Sequence, residues 1–280
     1  MTLRLSAPPQ ETLNDSNGSA LGHPAVVVPT TVCAPIRREE QLSPSLRDER
    51  GAPCYEMKFQ IAEELAQQVE GWAREHLAFD SHANPALDNA YRIHTLYLDT
   101  AALNVYHRVP PLARRKLRLR RYDHEGIVFL ERKTRRGDRV SKRRTPVAAV
   151  DLARLADPLP DPGWSGYWFH RRVLAQGVRP ICHVTYDRVA HVGESAEGPL
   201  RLTLDRRIMC SPSREWRLAE AAAALPLLTS HVVLELKYRS ALPTLFKQLI
   251  RDFQLQPRST SKYRLSVEAW RLQQQVREVG

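Results

Sequence analysis

Residues 115–122 have the sequence Arg115-Lys116-Leu117-Arg118-Leu119-Arg120-Arg121-Tyr122. Successive side chains of a β-strand point to opposite faces, so Lys116, Arg118 and Arg120 share one face and the two leucines occupy the other. Three cations along one strand repel each other unless an anion or carboxylates neutralise them. The stretch therefore predicts a strand whose cationic face binds phosphate, or a basic strand that faces solvent or nucleic acid.

The same alternation recurs along the chain, with single carboxylates among the cations. An ordinary half-buried sheet would give this pattern, with its charges in water and its aliphatic side chains in the core. The mixture also suits the inside of a barrel that holds a polyanion and a metal ion, and we expect this inverted arrangement, with the charged faces inside the barrel and the leucine faces outside, under the helices. The recurring segments are Glu56-Met57-Lys58, Glu131-Arg132-Lys133, Tyr186-Asp187-Arg188, Arg201-Leu202-Thr203-Leu204-Asp205 and Glu235-Leu236-Lys237.

A predicted hairpin carries the next set of candidate residues. Glu131 and Lys133 face the same way, so the carboxylate is expected to orient a phosphate-binding lysine. After Gly137 the chain returns antiparallel with Lys142 and Arg144. A charged hairpin in water is the alternative interpretation.

Glu235 is the candidate metal ligand. It lies in the apolar strand Val232–Tyr238, where a carboxylate is costly unless it is paired or bound to a cation. A hard cation that holds phosphates needs only one or two carboxylates. The alternative is an internal salt bridge, and for Glu56 with Lys58 a solvated salt-bridging face is the favoured interpretation.

The net charge of the chain comes from one segment. The 280 residues carry 42 Lys and Arg against 31 Asp and Glu. Residues 108–144 hold fifteen of these cations and four of the acids, and the rest of the chain holds 27 of each. This concentration favours a dedicated anion site over a general surface charge.

Other composition features restrict the class of protein. The four cysteines form no CxxC pair, and the chain contains no Walker-type or GxGxxG motif. The N-terminus shows no secretory signal and the apolar runs are short, so we expect a cytoplasmic protein. If the protein uses ATP, it does so without a P-loop.

The order of elements predicts an α+β fold, a closed antiparallel eight-stranded β-barrel with flanking helices. Residues 1–50 are expected to form a poorly ordered tail, and 51–280 the domain. Helices are predicted at Ala62–Leu77, at about Tyr167–Ala175, from Pro243 to about Phe253 and at about Leu265–Val276. The predicted strands are Cys54–Ile61, Tyr91–Asp99, Leu112–Asp123, Ile127–Thr134, Asp138–Val147, Ile181–Val192, Leu200–Met209 and Ser230–Tyr238.

Taken in chain order, these motifs resemble the VTC domain, the polyphosphate polymerase module of the triphosphate tunnel metalloenzymes. The resemblance covers about residues 51–272. The matching segments are Tyr55-Glu56-Met57-Lys58-Phe59, Leu96-Tyr97-Leu98-Asp99, Leu117–Tyr122, Phe129–Thr134, Tyr186–Arg188, Leu200–Asp205, Leu234–Lys237 and Ser261-Lys262-Tyr263.

The resemblance implies transfer of the ATP γ-phosphate to polyphosphate inside a basic tunnel, with a divalent metal, Mn²⁺ or Mg²⁺, on Glu235. ATP and polyphosphate are the implied ligands, with no specific nucleic acid. Tyr186 and Ser261 would donate or accept hydrogen bonds, Glu131 would orient a lysine, and Lys142 and Arg144 would also bind substrate. The residues implied to grip phosphates are Lys58, Arg118, Arg120, Lys133, Arg188, Arg201 and Lys262.

Two departures from the family pattern matter. Eukaryotic members carry a sensor domain for inositol phosphates and a membrane region, and this sequence shows neither, so a membrane-protein partner in trans and the oligomeric state are left open. The related CYTH branch uses ExExK on its first strand, where this chain has Cys54. A CYTH-like tunnel triphosphatase and a non-catalytic polyanion-binding module are the alternative functions.

Overall fold

The computed structural model of the protein describes residues 49–123, 126–218 and 223–279, with side chains from 51 to 271 inside these ranges. The tail predicted over residues 1–50 lies almost wholly outside the described residues and stays a prediction. The strands of the described part are β1 Glu49–Ala62, β2 Ala78–Phe79, β3 Ala90–Asp99, β4 Arg115–Tyr122, β5 Ile127–Arg136, β6 Arg139–Ala148, β7 Arg179–Ser195, β8 Gly198–Pro212, β9 Leu225–Pro226 and β10 His231–Tyr238. The α-helices are α1 Glu63–His76, α2 Tyr167–Gln176, α3 Thr244–Asp252 and α4 Lys262–Val279, and 3-10 helices lie at Pro85–Leu87 and Ala149–Ala156.

The eight long strands close into an antiparallel barrel, as the sequence predicts. Their order is β7-β3-β4-β5-β6-β1-β10-β8, and pairing of β8 with β7 closes the ring. The short strands β2 and β9 extend the sheet by pairing with β7 and β8. None of the described helices is long and apolar enough to cross a membrane.

The β5–β6 hairpin fixes the register of the most basic part of the wall. Its turn contains Gly137 at φ +57°, a left-handed conformation that glycine adopts without steric cost. This turn sets Lys133 opposite Lys142 and Glu131 opposite Arg144. Since directly opposite residues share a face, all four side chains start on the inner side of the barrel.

The alternation along the strands is inverted, as predicted. Leu117 and Leu119 are buried outside the barrel in a hydrophobic cluster with Phe169 of α2 and Val267 of α4. Lys116, Arg118 and Arg120 of the same strand line a cavity on the inside. Burying each leucine contributes about 1.5–3 kcal/mol, so the outer shell stabilises a fold whose interior is charged.

A second cluster covers the opposite side of the barrel. The apolar spacing of α1 buries Ala66, Val69 and Ala73, and two glutamates in its first turn suit the positive end of the helix dipole. These residues pack on the outward leucines of β8 and β10, together with Phe246 and Leu249 of α3. The inward residues of β8 and β10 are therefore the alternate ones, which are mostly polar.

Helix α4 begins at Lys262, three residues before the predicted start at Leu265. The Ser261 hydroxyl accepts a hydrogen bond from the Arg264 backbone N–H at 3.4 Å, and the Ser261 carbonyl accepts one from Leu265. This serine cap starts the helix inside a segment whose polar composition suggests a loop. Its early start brings Lys262 to the barrel interior.

Candidate functional site

The barrel interior contains a cavity of about 680 Å³. Its walls come from the inward faces of the strands and from the segment 257–264 that leads into α4. Of the described residues that line it, thirteen are Arg or Lys and three are Glu or Asp. Such an excess of cations in a low-dielectric enclosure is suited to a highly charged anion.

Two carboxylates on one wall share a single lysine. The Lys58 ammonium lies 3.1 Å from Oε1 of Glu56 and 3.0 Å from Oε2 of Glu235. Lys133 donates to both oxygens of Glu56 at 2.9 and 2.8 Å, and Lys237 lies 2.5 Å from Glu235 Oε1. The two carboxylates thus face each other across Lys58.

The pKa shifts of this group follow from its charges. Burial and Glu235 would raise the pKa of Glu56, but three lysines together lower it to about 2. Burial would also raise the pKa of Glu235, and Lys237 and Lys58 hold it well below its usual range. Burial and the neighbouring Lys58 lower the pKa of Lys133 to about 8, although Glu56 opposes this. Both carboxylates are therefore ionised at neutral pH.

Arginines line the deeper part of the cavity. Arg118 donates to Glu131 Oε2 from Nε at 2.8 Å and from Nη2 at 2.6 Å. Arg120 donates from Nη2 to the Tyr186 hydroxyl at 3.0 Å and to Thr95 at 3.4 Å. The Glu131 carboxylate acts on Arg120 through space, so a bound anion would be the first charged hydrogen-bond partner of this guanidinium among the described residues.

A third cationic group lies across the lumen. Arg188 donates two hydrogen bonds to Asp205, at 2.6 and 2.8 Å, and Lys262 donates to the same carboxylate at 2.6 Å. The Lys262 ammonium also lies 4.5 Å from the centroid of the Tyr186 ring. Although Asp205 is fully buried and burial would raise its pKa, Arg188 and Lys262 hold that pKa well below its usual range.

The mouth of the cavity lies at the start of α4. Lys116 donates to the Ser261 hydroxyl at 2.9 Å, and burial, then Lys58 and Lys133, lower the pKa of Lys116 to about 7. Tyr263 donates to the buried Asp99 carboxylate, which also accepts from the backbone of the loop that follows β3. Helix α4 and this loop therefore hold the mouth together.

Aromatic rings pack together beyond Arg120. We call His82, Tyr91, Tyr122 and Phe129 the aromatic cluster. Ring centroids lie 4.6 Å apart for His82 and Tyr122, 6.1 Å for Tyr91 and Tyr122, and 5.7 Å for Tyr122 and Phe129. None of these four is among the described residues that line the cavity.

The structure brings most of the predicted site residues together. Glu131 does not orient Lys133 as expected. The Glu131 carboxylate lies over β4 and pairs with Arg118, and Lys133 pairs with Glu56 instead. The predicted residues that line the cavity are Lys58, Arg118, Arg120, Lys133, Tyr186, Arg188, Glu235, Ser261 and Lys262.

Four predicted residues have other surroundings and are absent from the described lining of the cavity: Arg201, Lys142, Arg144 and Glu131. Arg201 donates to Asp80 at 2.6 Å and to the Tyr91 hydroxyl at 3.1 Å, beside the aromatic cluster. The Lys142 ammonium lies 3.8 Å from Glu131, and the Arg144 guanidinium lies 4.6 Å from the Phe129 ring. Their contact with substrate stays a prediction.

The sequence-based reasoning missed several lining residues. Glu56 is not on a solvated face, because its side chain is 7% exposed and paired with two lysines. Lys116 and Lys237 also line the cavity, and their positions in the alternating segments were the available signal. Arg114 and Arg258 line it from loops, where no periodicity could reveal them.

The donor set fits a hard divalent cation only in part. No cluster of three or more His, Cys, Asp or Glu side chains suited to a metal occurs among the described residues. Glu56 and Glu235 nevertheless face each other, and Mg²⁺ commonly takes one or two carboxylates with water and substrate phosphates. The two carboxylates therefore fit a cation whose remaining ligands come from a bound phosphate chain.

Solved structures with a similar fold share little sequence with this chain. A candidate adenylate cyclase from Bacillus halodurans has 11% identity and a TM-score of 0.46, covering 76% of this chain and 95% of its own. A candidate adenylyl cyclase from Hippeastrum, described with a dominant triphosphatase activity, has 15% identity and a TM-score of 0.46, with coverages of 77% and 96%. A protein from Pyrococcus horikoshii has 14% identity and a TM-score of 0.44, with coverages of 77% and 99%.

Among curated proteins, none matches the sequence. The VTC domain family matches residues 54–271, a span that runs from β1 into α4 and takes in every strand of the barrel. Because this span is well over half of the 280 residues, the protein belongs to the VTC domain family.

Proposed function

We propose that the protein is an ATP-dependent polyphosphate polymerase, which transfers the γ-phosphate of ATP to a polyphosphate chain inside the barrel. The observation that carries the proposal is the cavity, whose described lining holds thirteen cations and an opposed pair of carboxylates. Membership of the VTC domain family supports it.

Phosphate binding is the role we assign to the inward cations. Arg118, Arg120 and Arg188 present planar guanidinium groups, which make bidentate contacts with phosphate oxygens. Lys58, Lys133 and Lys262 add flexible ammonium groups that bind as point charges. Tyr186 and Ser261 contribute hydroxyls beside Arg120 and Lys116.

Glu56 and Glu235 would hold the divalent cation, Mn²⁺ or Mg²⁺. When bound, such a cation neutralises charge that develops on the transferred and leaving phosphates. Lys58, Lys133 and Lys237 now pair with these carboxylates, and a phosphate chain offers the lysines alternative anionic partners. Substrate binding and completion of the cation site are thereby coupled.

Charge compensation explains why the chain needs no nucleophilic side chain. In phosphoryl transfer the protein mainly positions the groups and stabilises charge, and the acceptor phosphate itself attacks. The cations are held by Glu131, Asp205 and Tyr186 before substrate arrives, so little reorganisation is needed during the reaction.

The test uses purified full-length protein with ATP and either Mn²⁺ or Mg²⁺. We expect ADP to form together with polyphosphate that is resolved on a gel. Arg120→Met should remove most of this activity, since Arg120 lies deep in the cavity. The matched control is Arg121→Met on the same strand, because Arg121 hydrogen-bonds the Asp123 carbonyl rather than lining the cavity.

The products decide between this proposal and its alternatives. Free phosphate without polymer would identify a tunnel triphosphatase. Tripolyphosphate binding without turnover or metal requirement would identify a polyanion-binding module. A duplex nucleic acid is not a candidate ligand, because an eight-stranded barrel has an interior only wide enough for side chains or one small ligand.

A further inference from the structure

The wall formed by β4, β5 and β6 carries arginines on its outer surface as well as inside. Side chains alternate along a strand, so the residues between the inward cations point outward. Five of the fifteen cations in residues 108–144 lie on this outer surface near the mouth, and none of them is among the described residues that line the cavity. We call them the arginine face: Arg115 of β4, Arg132 and Arg136 of β5, and Arg139 and Arg143 of β6.

The strand register sets four of these arginines opposite one another. Arg136 lies directly opposite Arg139 at the end of the β5–β6 hairpin. Further along the same hairpin, Arg132 lies directly opposite Arg143. Like charges directly opposite each other on one face of a sheet are destabilising. Two such pairs on one hairpin therefore reduce stability unless an anion lies over them.

Carboxylates of the described residues do not neutralise the exposed part of this face. Asp138, in the hairpin turn, pairs with Arg135 at 3.3 Å, and both of these residues line the cavity. Among the described residues, no carboxylate lies within ion-pair distance of Arg115, Arg136 or Arg139. Since these three side chains are also exposed, their guanidinium groups are available to an anion.

The arginine face is continuous with the mouth of the cavity. Arg135 lines the cavity, whereas Arg136, the next residue, lies outside. Arg114 and Arg115 form a second such pair. The backbone N–H of Arg135 donates to the Arg114 carbonyl at 2.9 Å, so the two pairs lie side by side at the rim. Cations therefore continue from the interior over the rim of the barrel onto its outer surface.

Aromatic rings at this surface are covered by guanidinium groups. The guanidinium groups of Arg143 and Arg132 lie 4.0 and 5.9 Å from the centroid of the Trp168 ring. The guanidinium of Arg139 lies 5.4 Å from the Tyr55 ring and donates to its hydroxyl at 3.2 Å. Proteins that bind single-stranded nucleic acid stack its bases on aromatic side chains. Rings that arginines already cover favour an anion without bases, and polyphosphate is such an anion.

We infer that the arginine face binds the part of a polyphosphate chain that extends beyond the mouth of the barrel. Phosphates inside contact the cations of the cavity, and the phosphates that follow lie over the outer surface of the hairpin. Guanidinium groups suit this role, because each can donate two hydrogen bonds to phosphate oxygens. The inference rests on the proposed function for the identity of the chain as polyphosphate, and it concerns binding and not turnover.

Two contact regions on one chain make affinity depend on chain length. Tripolyphosphate is short enough to be held by the cavity alone, whereas a long chain reaches both regions. Linking two contacts in one ligand raises the affinity without any change in either contact. Long linear polyphosphate should therefore bind wild-type protein more tightly than tripolyphosphate does, and only this advantage should depend on the arginine face.

The test compares wild-type protein with two triple variants that lose the same charge. The face variant combines Arg115→Gln, Arg136→Gln and Arg139→Gln. The control variant replaces three exposed arginines that lie on α1, just after β10 and on α3: Arg74→Gln, Arg239→Gln and Arg251→Gln. Circular dichroism establishes that each variant is folded. Calorimetry with tripolyphosphate and fluorescence anisotropy with end-labelled long polyphosphate give the affinities in metal-free buffer.

The face variant should bind tripolyphosphate as wild type does. Its affinity for long polyphosphate should fall about 10–100-fold at about 0.1 M salt, because up to three phosphate contacts are lost. The slope of log affinity against log salt should become shallower by about 2–3. The control variant should match wild type with both ligands.

Equal weakening of long-chain binding in both triple variants would show a general charge effect and overturn the inference. Unchanged long-chain binding in the face variant, or equal affinity of wild type for the two ligands, would also overturn it. Weaker tripolyphosphate binding in the folded face variant would assign these arginines to the cavity instead.

Single-stranded DNA of matched charge distinguishes the class of polyanion. Binding of this DNA as tight as that of polyphosphate, with the same loss in the face variant, would reassign the surface to nucleic acid. Formation of polymer from ATP is measured separately on wild-type protein, so the proposed function can fail while the inference stands, and the reverse.

Discussion

The pKa values of the lysines inside this barrel differ sharply, although their side chains lie close together. Lys58 sits between Glu56 and Glu235, which raise its pKa above the ordinary value against the effect of burial. Lys116 has a serine hydroxyl as its hydrogen-bond partner and other cations nearby, and its pKa falls to about 7. The lysine without a carboxylate at contact distance among the described residues is therefore the one that an arriving phosphate affects most.

Tripolyphosphate binding should take up a proton at about pH 8. Lys116 is mostly neutral there in the ligand-free protein, and a bound phosphate favours its ammonium form. The affinity advantage of wild type over Lys116→Met should be largest below pH 7 and should shrink as pH rises through the pKa of the complex. Titration calorimetry in two buffers with different heats of ionisation measures the proton uptake.

The exposed Lys247→Met is the control for this measurement. Protonation of tripolyphosphate itself is common to all three proteins and cancels in the comparison. Equal proton uptake by wild type and Lys116→Met would show that Lys116 stays charged in the ligand-free cavity.

Glu235→Gln should separate the metal role from phosphate binding. Loss of a group that stabilises transition-state charge typically costs about 100–1000-fold in turnover. In metal-free buffer, however, tripolyphosphate should bind at least as tightly, because one negative charge has left the cavity. Turnover with Mn²⁺ and calorimetry without metal measure the two effects, with the exposed Glu64→Gln as control. Unchanged turnover would exclude Glu235 as a cation ligand.

The identity of single site residues was only partly predictable from the sequence. Alternation places Glu235 and Arg201 equally well on an inward face. Which partner each side chain meets depends on neighbouring strands, and Arg201 meets Asp80 and Tyr91 because β2 brings Asp80 beside β7. Strand periodicity carries no information about such contacts.

Among the elements, β4 shows most clearly that the outward side chains of a strand stabilise the fold while its inward side chains line the cavity. Its leucines lie in the outer hydrophobic cluster and its cations line the cavity. In an ordinary half-buried sheet, a strand with the same sequence would turn its cations to solvent and its leucines to the core. The inward direction of the cations is therefore inferred from the recurrence of the pattern in many segments and not from any one strand.

Leu119→Ala should lower the free energy of unfolding by about 2–5 kcal/mol, since it leaves a cavity in a fully buried position. The affinity of the folded variant for tripolyphosphate should remain that of wild type. Denaturant unfolding and calorimetry give the two values.

Lys116→Met, on the inward face of the same strand, provides the contrast. It should leave the free energy of unfolding unchanged or higher, because burying a cation without a nearby carboxylate is unfavourable, and it should weaken tripolyphosphate binding. The reverse outcome for the two variants would mean that the leucines face the ligand.

For the whole molecule, we expect a bound anion to stabilise the fold by neutralising the cations inside the barrel. The described lining of the cavity carries a large excess of positive charge, and these charges repel each other until an anion binds. The protein without ligand should therefore be less stable than its hydrophobic clusters alone would make it.

Tripolyphosphate should raise the thermal midpoint of unfolding. At a concentration 100 times the dissociation constant, a ligand that binds only the folded state adds about 2.7 kcal/mol. Sodium chloride at matched ionic strength should not reproduce the increase, and added salt should reduce it. Differential scanning calorimetry measures the midpoint, and an equal increase with sodium chloride would show that general screening is responsible.

The closed barrel could be predicted from the sequence because closing eight alternating segments into a ring leaves no exposed strand edge and places their charged faces around one lumen. The aromatic cluster did not follow. Tyr122 and Phe129 belong to the same alternating segments as the cations, and only the barrel register brings the two rings into contact.

The lysine between Glu56 and Glu235 also sets an order of events. In the ligand-free protein its ammonium occupies the space that a divalent cation shared by the two carboxylates would take. A free metal ion must therefore compete with a charge that the protein itself supplies, whereas a metal ion that arrives with a phosphate chain brings the anion that draws the lysine away.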